Sequence, residues 1–383
     1  MSQRLADILQ AAVARGDVPG AVAMATDGTS TLCQAAAGVR QFGGDVPMTL
    51  DTIFWIASLT KAVTSIAAMQ LVEQGCIGLW DPLGPIVPKL ADLQVLTGFD
   101  DAGQPVLRPA RREVTLHDLL THTSGFCQEV WNPNIRRYIE VTGVPTSASG
   151  LNAALDRPLA FDPGDRWEYG IGIDWAGKVV EAVSGQGLGA YFAEHIFGPL
   201  GMVDTQFGRP DSDRVASSHT RLPDGGLKPG SSGRPGKPEL EGGGGGLYST
   251  ASDYLKLLAM LLRGGDNLLR PDTVASMMRN QIAPIAVRAL PTEMPHLSND
   301  AEFFPGVAKG WGYGFMTTST AGHAGRAANS VAWAGLANCY YWLDPSSRIA
   351  GVLMAQLLPF ADPAVLGLFD AFETSVYEAQ QNR

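Results

Sequence analysis

Along the chain, apolar and polar positions change their period four times. Residues 3–15, within "MSQRLADILQAAVARGDVPG", set Arg4, Asp7 and Arg15 among apolar positions at helical spacing and predict an amphipathic helix. The next stretch, "GAVAMATDGTSTLCQAAAGV", consists of two apolar runs around Asp27-Gly28, the signal of a β-hairpin. Near the other end, "NSVAWAGLANCYYWLDPSSRIAGVLMAQLLP" predicts two aromatic or β-branched strands about the turn Asp344-Pro345-Ser346-Ser347. A helix, "ADPAVLGLFDAFETSVYEAQ", follows.

Between these ends the pattern is mostly helical. "TLHDLLTHTSG" opens on the capping residue Thr115, and "DWAGKVVEAVSG" stops at Gly185. "GLGAYFAEHIFGPLG" and "STASDYLKLLAMLLRGG" continue the series. Strands at both termini with helices between them predict an α+β fold: an antiparallel sheet built from both chain ends, flanked by helices, with a mainly helical lobe inserted. The expected division is a single domain over 1–383. Residues 1–80 and 290–383 would form the sheet lobe, residues 81–289 the helical lobe, and the cleft between them is a usual place for a ligand. The Gly- and Pro-rich segment 222–246 predicts a long loop that can line such a cleft.

Composition narrows the function. The 383 residues are 45% hydrophobic and 17% charged, with a formal net charge of −10 and no Lys/Arg cluster. Nucleic acid and anionic membrane surfaces are poor partners for such a chain, and no apolar run is long enough to span a membrane. The N-terminus has no signal-peptide pattern, so a cytoplasmic location is the expectation. Cys33, Cys76, Cys127 and Cys339 are scattered without ligand spacing, which predicts reduced structural thiols, no metal and no cofactor.

Candidate chemistry sits in "TIFWIASLTKAVTSIAAMQLVEQG". Ser58 and Lys61 are three residues apart, so both share one face of a helix that begins at or just before Ser58. A buried lysine amine can act as a base toward the hydroxyl, and first-turn N–H groups can receive an oxyanion. A Ser-x-x-Lys pair also arises as a capping serine with an unrelated lysine, and spacing leaves both readings open. Tyr169, after the Pro-Gly turn of "DPGDRWEYGIGIDWAGKVV", can relay protons at a cleft or serve as a half-buried aromatic. Trp333-Ala334-Gly335 lies on a C-terminal strand where small residues permit close approach. There is no G-x-S-x-G elbow, and "GSSG" at 230–233 has the wrong spacing. Ser124 and Asp81 read as turn formers, His122 as structural at a helix end, and His323 as a possible substrate contact. Trp131, Tyr138, Phe126 and Trp333 are candidate pocket walls.

Taken together, "IFWIASLTKAVTSIAAMQLVEQGCIGLWDPL", "TLHDLLTHTSGF", "PGDRWEYG" and "GGGGGLYSTASDYLKLLAMLL" resemble the serine β-lactamase-like superfamily over nearly the whole chain. Within it the resemblance is strongest to the family VIII carboxylesterases, relatives of class C β-lactamases and D,D-peptidases. It implies a β-lactamase/transpeptidase-like fold, Ser58 as nucleophile, Lys61 as its base and Tyr169 as the residue opening the second motif. Trp333-Ala334-Gly335 would be the third motif, and the N–H groups of Ser58 and Leu336 the oxyanion hole. Two departures bear on the substrate. Ile171 stands where lactamases carry Asn after Tyr-x, and Trp333 stands where they carry the Lys that holds a substrate carboxylate. The resemblance therefore implies a carboxylesterase acting on short-chain acyl esters of neutral small molecules, possessing at most weak β-lactam turnover. A β-lactamase, a D-amino-acid peptidase or amide hydrolase, or an acyltransferase on the same scaffold is the alternative. The oligomeric state is left open.

Overall fold

A computed structural model describes residues 1–230, 236–322 and 324–381. Helix α1 (Ser2–Arg15) precedes β1 (Gly20–Thr26) and β2 (Thr31–Gly38), and the Asp27-Gly28 turn joins the two strands as the sequence predicts. Next come β3 (Ile53–Trp55), a 3-10 turn over Ala57–Leu59 and α2 (Thr60–Glu73). The middle of the chain holds the hairpin β4 (Gln94–Phe99) and β5 (Pro105–Pro109), then α3 (Leu116–Leu120), α4 (Pro133–Thr142), α5 (Gly172–Ser184), α6 (Leu188–Phe192) and α7 (Gly198–Leu200). Short strands β6 (Gln206–Phe207), β7 (His219–Arg221), β8 (Leu227–Pro229) and β9 (Leu247–Thr250) lead to α8 (Ala251–Leu262) and α9 (Pro271–Met278). The C-terminal part comprises β10 (Lys309–Trp311), β11 (Met316–Thr318), β12 (Val331–Gly335), β13 (Cys339–Asp344), β14 (Ile349–Met354), β15 (Leu357–Leu358) and α10 (Pro363–Gln381).

Among the described residues, the main sheet has the order β10-β11-β12-β13-β14-β1-β2, antiparallel throughout. Both chain ends meet at the β1–β14 pairing, where Val22 opposes Met354. Every residue of β12, β13 and β14 is buried, because helices cover both faces. Side-chain alternation along β13 separates the layers. Tyr340 and Trp342 meet Phe369 and Phe372 of α10, whereas Tyr341 meets Tyr254 of α8 on the opposite face. Helix α8 lies within residues 81–289 yet packs on β1 and β14, while α2, within 1–80, packs on α5. This is the α+β fold with an antiparallel sheet that the sequence predicts.

Local differences from the sequence reading have identifiable causes. Helix α3 carries the Thr115–Asp118 capping box but ends after five residues, since His122 takes a left-handed conformation at φ 58°. Segment 222–246 is not wholly irregular: Leu227–Pro229 pairs with His219–Arg221, and "GSSG" at 230–233 falls mostly outside the described residues. No described helix is long and apolar enough to cross a membrane.

Trp342 and Gly351 oppose each other across β13 and β14, and a Cβ at 351 would lie 2.2 Å from the fully buried indole. Replacement Gly351→Val should therefore cost ~1–3 kcal/mol by overpacking. Urea denaturation checks this; an unchanged midpoint would show that the sheet moves apart to accept the side chain.

Candidate active site

The segment entering α2 is anchored before any reactive group appears. β3 pairs antiparallel with β9, so Trp55 opposes Tyr248, and the Ile56 N–H donates to Leu247 O at 3.1 Å. Ala57 then adopts φ 46°, an unfavourable conformation for a residue with a Cβ. Thr60 stabilises this turn: its hydroxyl donates to Ala57 O at 2.6 Å and accepts from the Leu247 N–H at 3.2 Å. The outcome is a half-buried Ser58 in the first turn of a helix whose residues Thr60–Leu71 are all buried.

Ser58 and Lys61 come together as the spacing predicts. Lys61 Nζ lies 3.1 Å from Ser58 Oγ and donates to Gly244 O at 2.6 Å. The lysine is only 3% exposed. Tyr169, also buried, turns its ring face to the amine, with Nζ 4.8 Å from the centroid. The Tyr169 hydroxyl oxygen accepts the indole N–H of Trp333 at 3.0 Å. Trp333 thus contacts the second motif directly as well as lining the cavity.

β12 brings Trp333-Ala334-Gly335 beside the Ser58 segment. A Cβ on Gly335 would stand 2.4 Å from Ile56 O, so only glycine allows this approach. The turn after Gly335 closes through the Asn338 N–H to Gly335 O at 2.9 Å. Leu336 occupies the first central position of that turn, where the N–H is not used by the closing bond. Leu336 and Ala334 line the same cavity as Ser58.

The cavity is a cleft partly open to solvent, with Ser58, Lys61 and Tyr169 in its wall, a concave setting of the kind small molecules occupy. Trp131, Trp333 and Phe360 form apolar wall. Phe126 and Tyr138 do not line this cavity: Phe126 packs on Trp175 in the core, and Tyr138 joins a small cluster around Leu96 and Phe161. Spacing cannot separate such aromatics, because a core face and a cavity face share the same period. His323 lies outside the described residues. A second cavity adjoins the first and shares Trp55, Gln128, Ser147 and Leu336 with it. Its far side includes Val130, Met294 and Leu297. Ser147 is held by the buried Glu129, which accepts its N–H and hydroxyl at 2.7 and 2.9 Å and pairs with the fully buried Arg157 at 2.7 Å. Burial would raise the Glu129 carboxyl, but Arg157 and these donors hold it below its ordinary range.

Three features go beyond what the sequence reading stated. His122, expected to be structural at a helix end, packs on Tyr169 with ring centroids 4.6 Å apart. Burial, reinforced by the neighbouring Lys61, drives its pKa well below the ordinary histidine value and keeps the imidazole neutral. Glycines 242–246 form a close-packed wall of the cavity, since a Cβ on Gly244 would sit 2.3 Å from Asp174 Oδ2. Glycine-rich composition signals freedom or close approach equally well, so only the partner surface decides. Asp174, the third residue of α5, also lines the cavity, and its one available signal was a position five residues after Tyr169.

Comparison with known proteins places the chain in a family. The Beta-lactamase family matches residues 5–373. Monacolin J acid methylbutanoyltransferase of Aspergillus terreus is 33% identical over 389 residues, covering 97% of this chain and 94% of the relative. Lovastatin esterase of Penicillium rubens is 33% identical over 391 residues, covering 96% of each. Unliganded simvastatin synthase from Aspergillus terreus superposes with a TM-score of 0.85 at 30% identity, covering 100% of this chain and 99% of that one. EstCE1, a hydrolase with promiscuous acyltransferase activity, has the same fold at a TM-score of 0.75 and 21% identity, over 98% of each chain. The chain therefore belongs to the Beta-lactamase family and is a serine hydrolase of that fold.

Proposed function

We propose that the protein is a serine carboxylesterase that forms an acyl-enzyme on Ser58 from short-chain acyl esters of neutral small molecules. The single observation that carries this reading is the contact between the buried Lys61 amine and Ser58 Oγ at 3.1 Å, inside a cavity that also holds Tyr169. Ser58 attacks the ester carbonyl as Lys61 accepts its proton, with Tyr169 completing the relay to the leaving alcohol. The N–H groups of Ser58 and Leu336 receive the oxyanion, each contributing about 3 kcal/mol to the tetrahedral intermediate. Water then releases the acid.

Neutral substrates are favoured by the charges in the wall. Among the described lining residues, Lys61 and Asp174 are the charged ones, and both are bound to Gly244. Trp333 leaves no cation for a substrate carboxylate, and Ile171 supplies no amide, so β-lactams and D-peptides fit this site less well than esters. The name of the methylbutanoyltransferase relative supports a short acyl group, and the adjoining second cavity extends the cleft on a side where an alcohol portion can lie. That second cavity also favours a second reading, acyl transfer: a bound alcohol in place of water would take the acyl group from Ser58.

Steady-state hydrolysis of p-nitrophenyl butyrate and of a chromogenic cephalosporin tests the assignment. The ester should turn over fast and the cephalosporin slowly, with both activities lost in Ser58→Ala; faster cephalosporin turnover would overturn the reading. Tyr169→Phe should lower kcat by roughly 10²–10⁴-fold if the phenol moves a proton; near-wild-type turnover would make it a wall residue. Trp333→Phe removes the donor to that phenol oxygen and should cost ~1.5–3 kcal/mol of activation free energy. An unchanged kcat in this variant would leave the indole as cavity wall alone.

A further inference from the structure

The lysine must be aimed as well as buried. Its side chain has four rotatable bonds, and an amine that receives the Ser58 proton must keep its lone pair on Oγ while its own N–H groups find other acceptors. Ile171 cannot provide one. The described structure offers a backbone carbonyl instead, Gly244 O, at 2.6 Å from Nζ.

That carbonyl is held with unusual completeness. The peptide between Gly243 and Gly244 is bonded at both ends: Thr64 Oγ1 donates to Gly243 O at 2.7 Å, and the Gly244 N–H donates to Asp174 Oδ1 at 2.9 Å. On the other side, the Trp55 indole N–H donates to Gly245 O at 2.8 Å. Within the turn, the N–H groups of Gly245 and Gly246 both reach Gly242 O, at 3.1 and 2.9 Å. Lys61 and Thr64 sit three residues apart on α2, so one helix face grips two successive carbonyls of the glycine turn. The absence of a side chain at 244 is what admits the Asp174 carboxylate.

We propose that Gly244 is the backbone acceptor that orients Lys61 toward Ser58, and that Asp174 and Thr64 are positioning residues acting through it. This rests on the roles given to Ser58 and Lys61 above. The glycine run is then part of the acylation machinery: its peptide planes replace the side-chain amide that this chain lacks.

The test reads Ser58 nucleophilicity without depending on the choice of ester. Second-order labelling by a fluorophosphonate is measured for the wild type, Asp174→Ala, Asp174→Asn and Thr64→Val, with Ser58→Ala as the unlabelled control. Misaiming the base should slow labelling of Asp174→Ala by about 10- to 100-fold. Asp174→Asn, which keeps an oxygen for the Gly244 N–H, should recover most of that loss. With p-nitrophenyl butyrate, kcat should fall in parallel while KM changes little. Wild-type labelling by Asp174→Ala, or equal slowing of the Ala and Asn variants, would overturn the proposal. Should Asp174→Ala not fold, Thr64→Val loosens the other end of the same peptide and must also slow labelling; an unchanged rate there would overturn it too. A wild type that labels rapidly but hydrolyses no ester would refute the esterase reading while leaving the labelling comparison intact.

Discussion

A lysine amine at 3% exposure on a helix buried from Thr60 to Leu71 is the constraint around which this molecule is arranged. Burial leaves it little access to solvent, so its partners are delivered mainly by the fold. Ser58 comes from the same helix, Gly244 from the turn before β9, and the ring of Tyr169 from the segment before α5. The three sources lie far apart in the chain, so the site exists only once the tertiary structure is complete. The same amine reaches further: whenever it carries a proton, its charge opposes protonation of the buried His122 behind Tyr169.

Rigidity around the amine has a structural source. The sheet places β12 against the segment preceding Ser58 closely enough that Gly335 meets Ile56 O, and the turn after it carries Leu336 into the cavity wall. β3 and β9 tie the approach to the nucleophile to the exit from the glycine turn. Strain at Ala57 is sustained because these pairings, together with the Thr60 hydroxyl, over-determine the local backbone. Trp333 joins the two halves of the site by bonding the Tyr169 hydroxyl from a strand of the main sheet.

Much of the fold was legible because it is written in short-range periodicity. The Asp27-Gly28 hairpin, the turn at Asp344, the Thr115 cap and the stop at Gly185 each depend on a few neighbouring residues, and all appear in the structure. The Ser58–Lys61 pair was legible for the same reason: helical spacing alone puts both on one face. Elements whose identity depends on distant partners were not legible. Phe126 and Tyr138 carry the same aromatic signal as Trp131, yet only the packing of other segments decides which ring faces the cavity. His122 was read as structural from its place at a helix end, but its burial beside Lys61 and Tyr169 could not be seen from the sequence.

By itself the sequence determined the helical spacing of Ser58 and Lys61, the strands at both ends that close one antiparallel sheet, and a formal net charge of −10. These are local or additive properties, which survive without knowledge of the fold. The close packing of Gly242–Gly246 against Asp174 and Thr64, the indole on the Tyr169 oxygen and the two adjoining cavities were decided by contacts between segments tens to hundreds of residues apart. A glycine run has no side chain to announce its partner; its meaning resides in the surface that comes to lie within van der Waals reach.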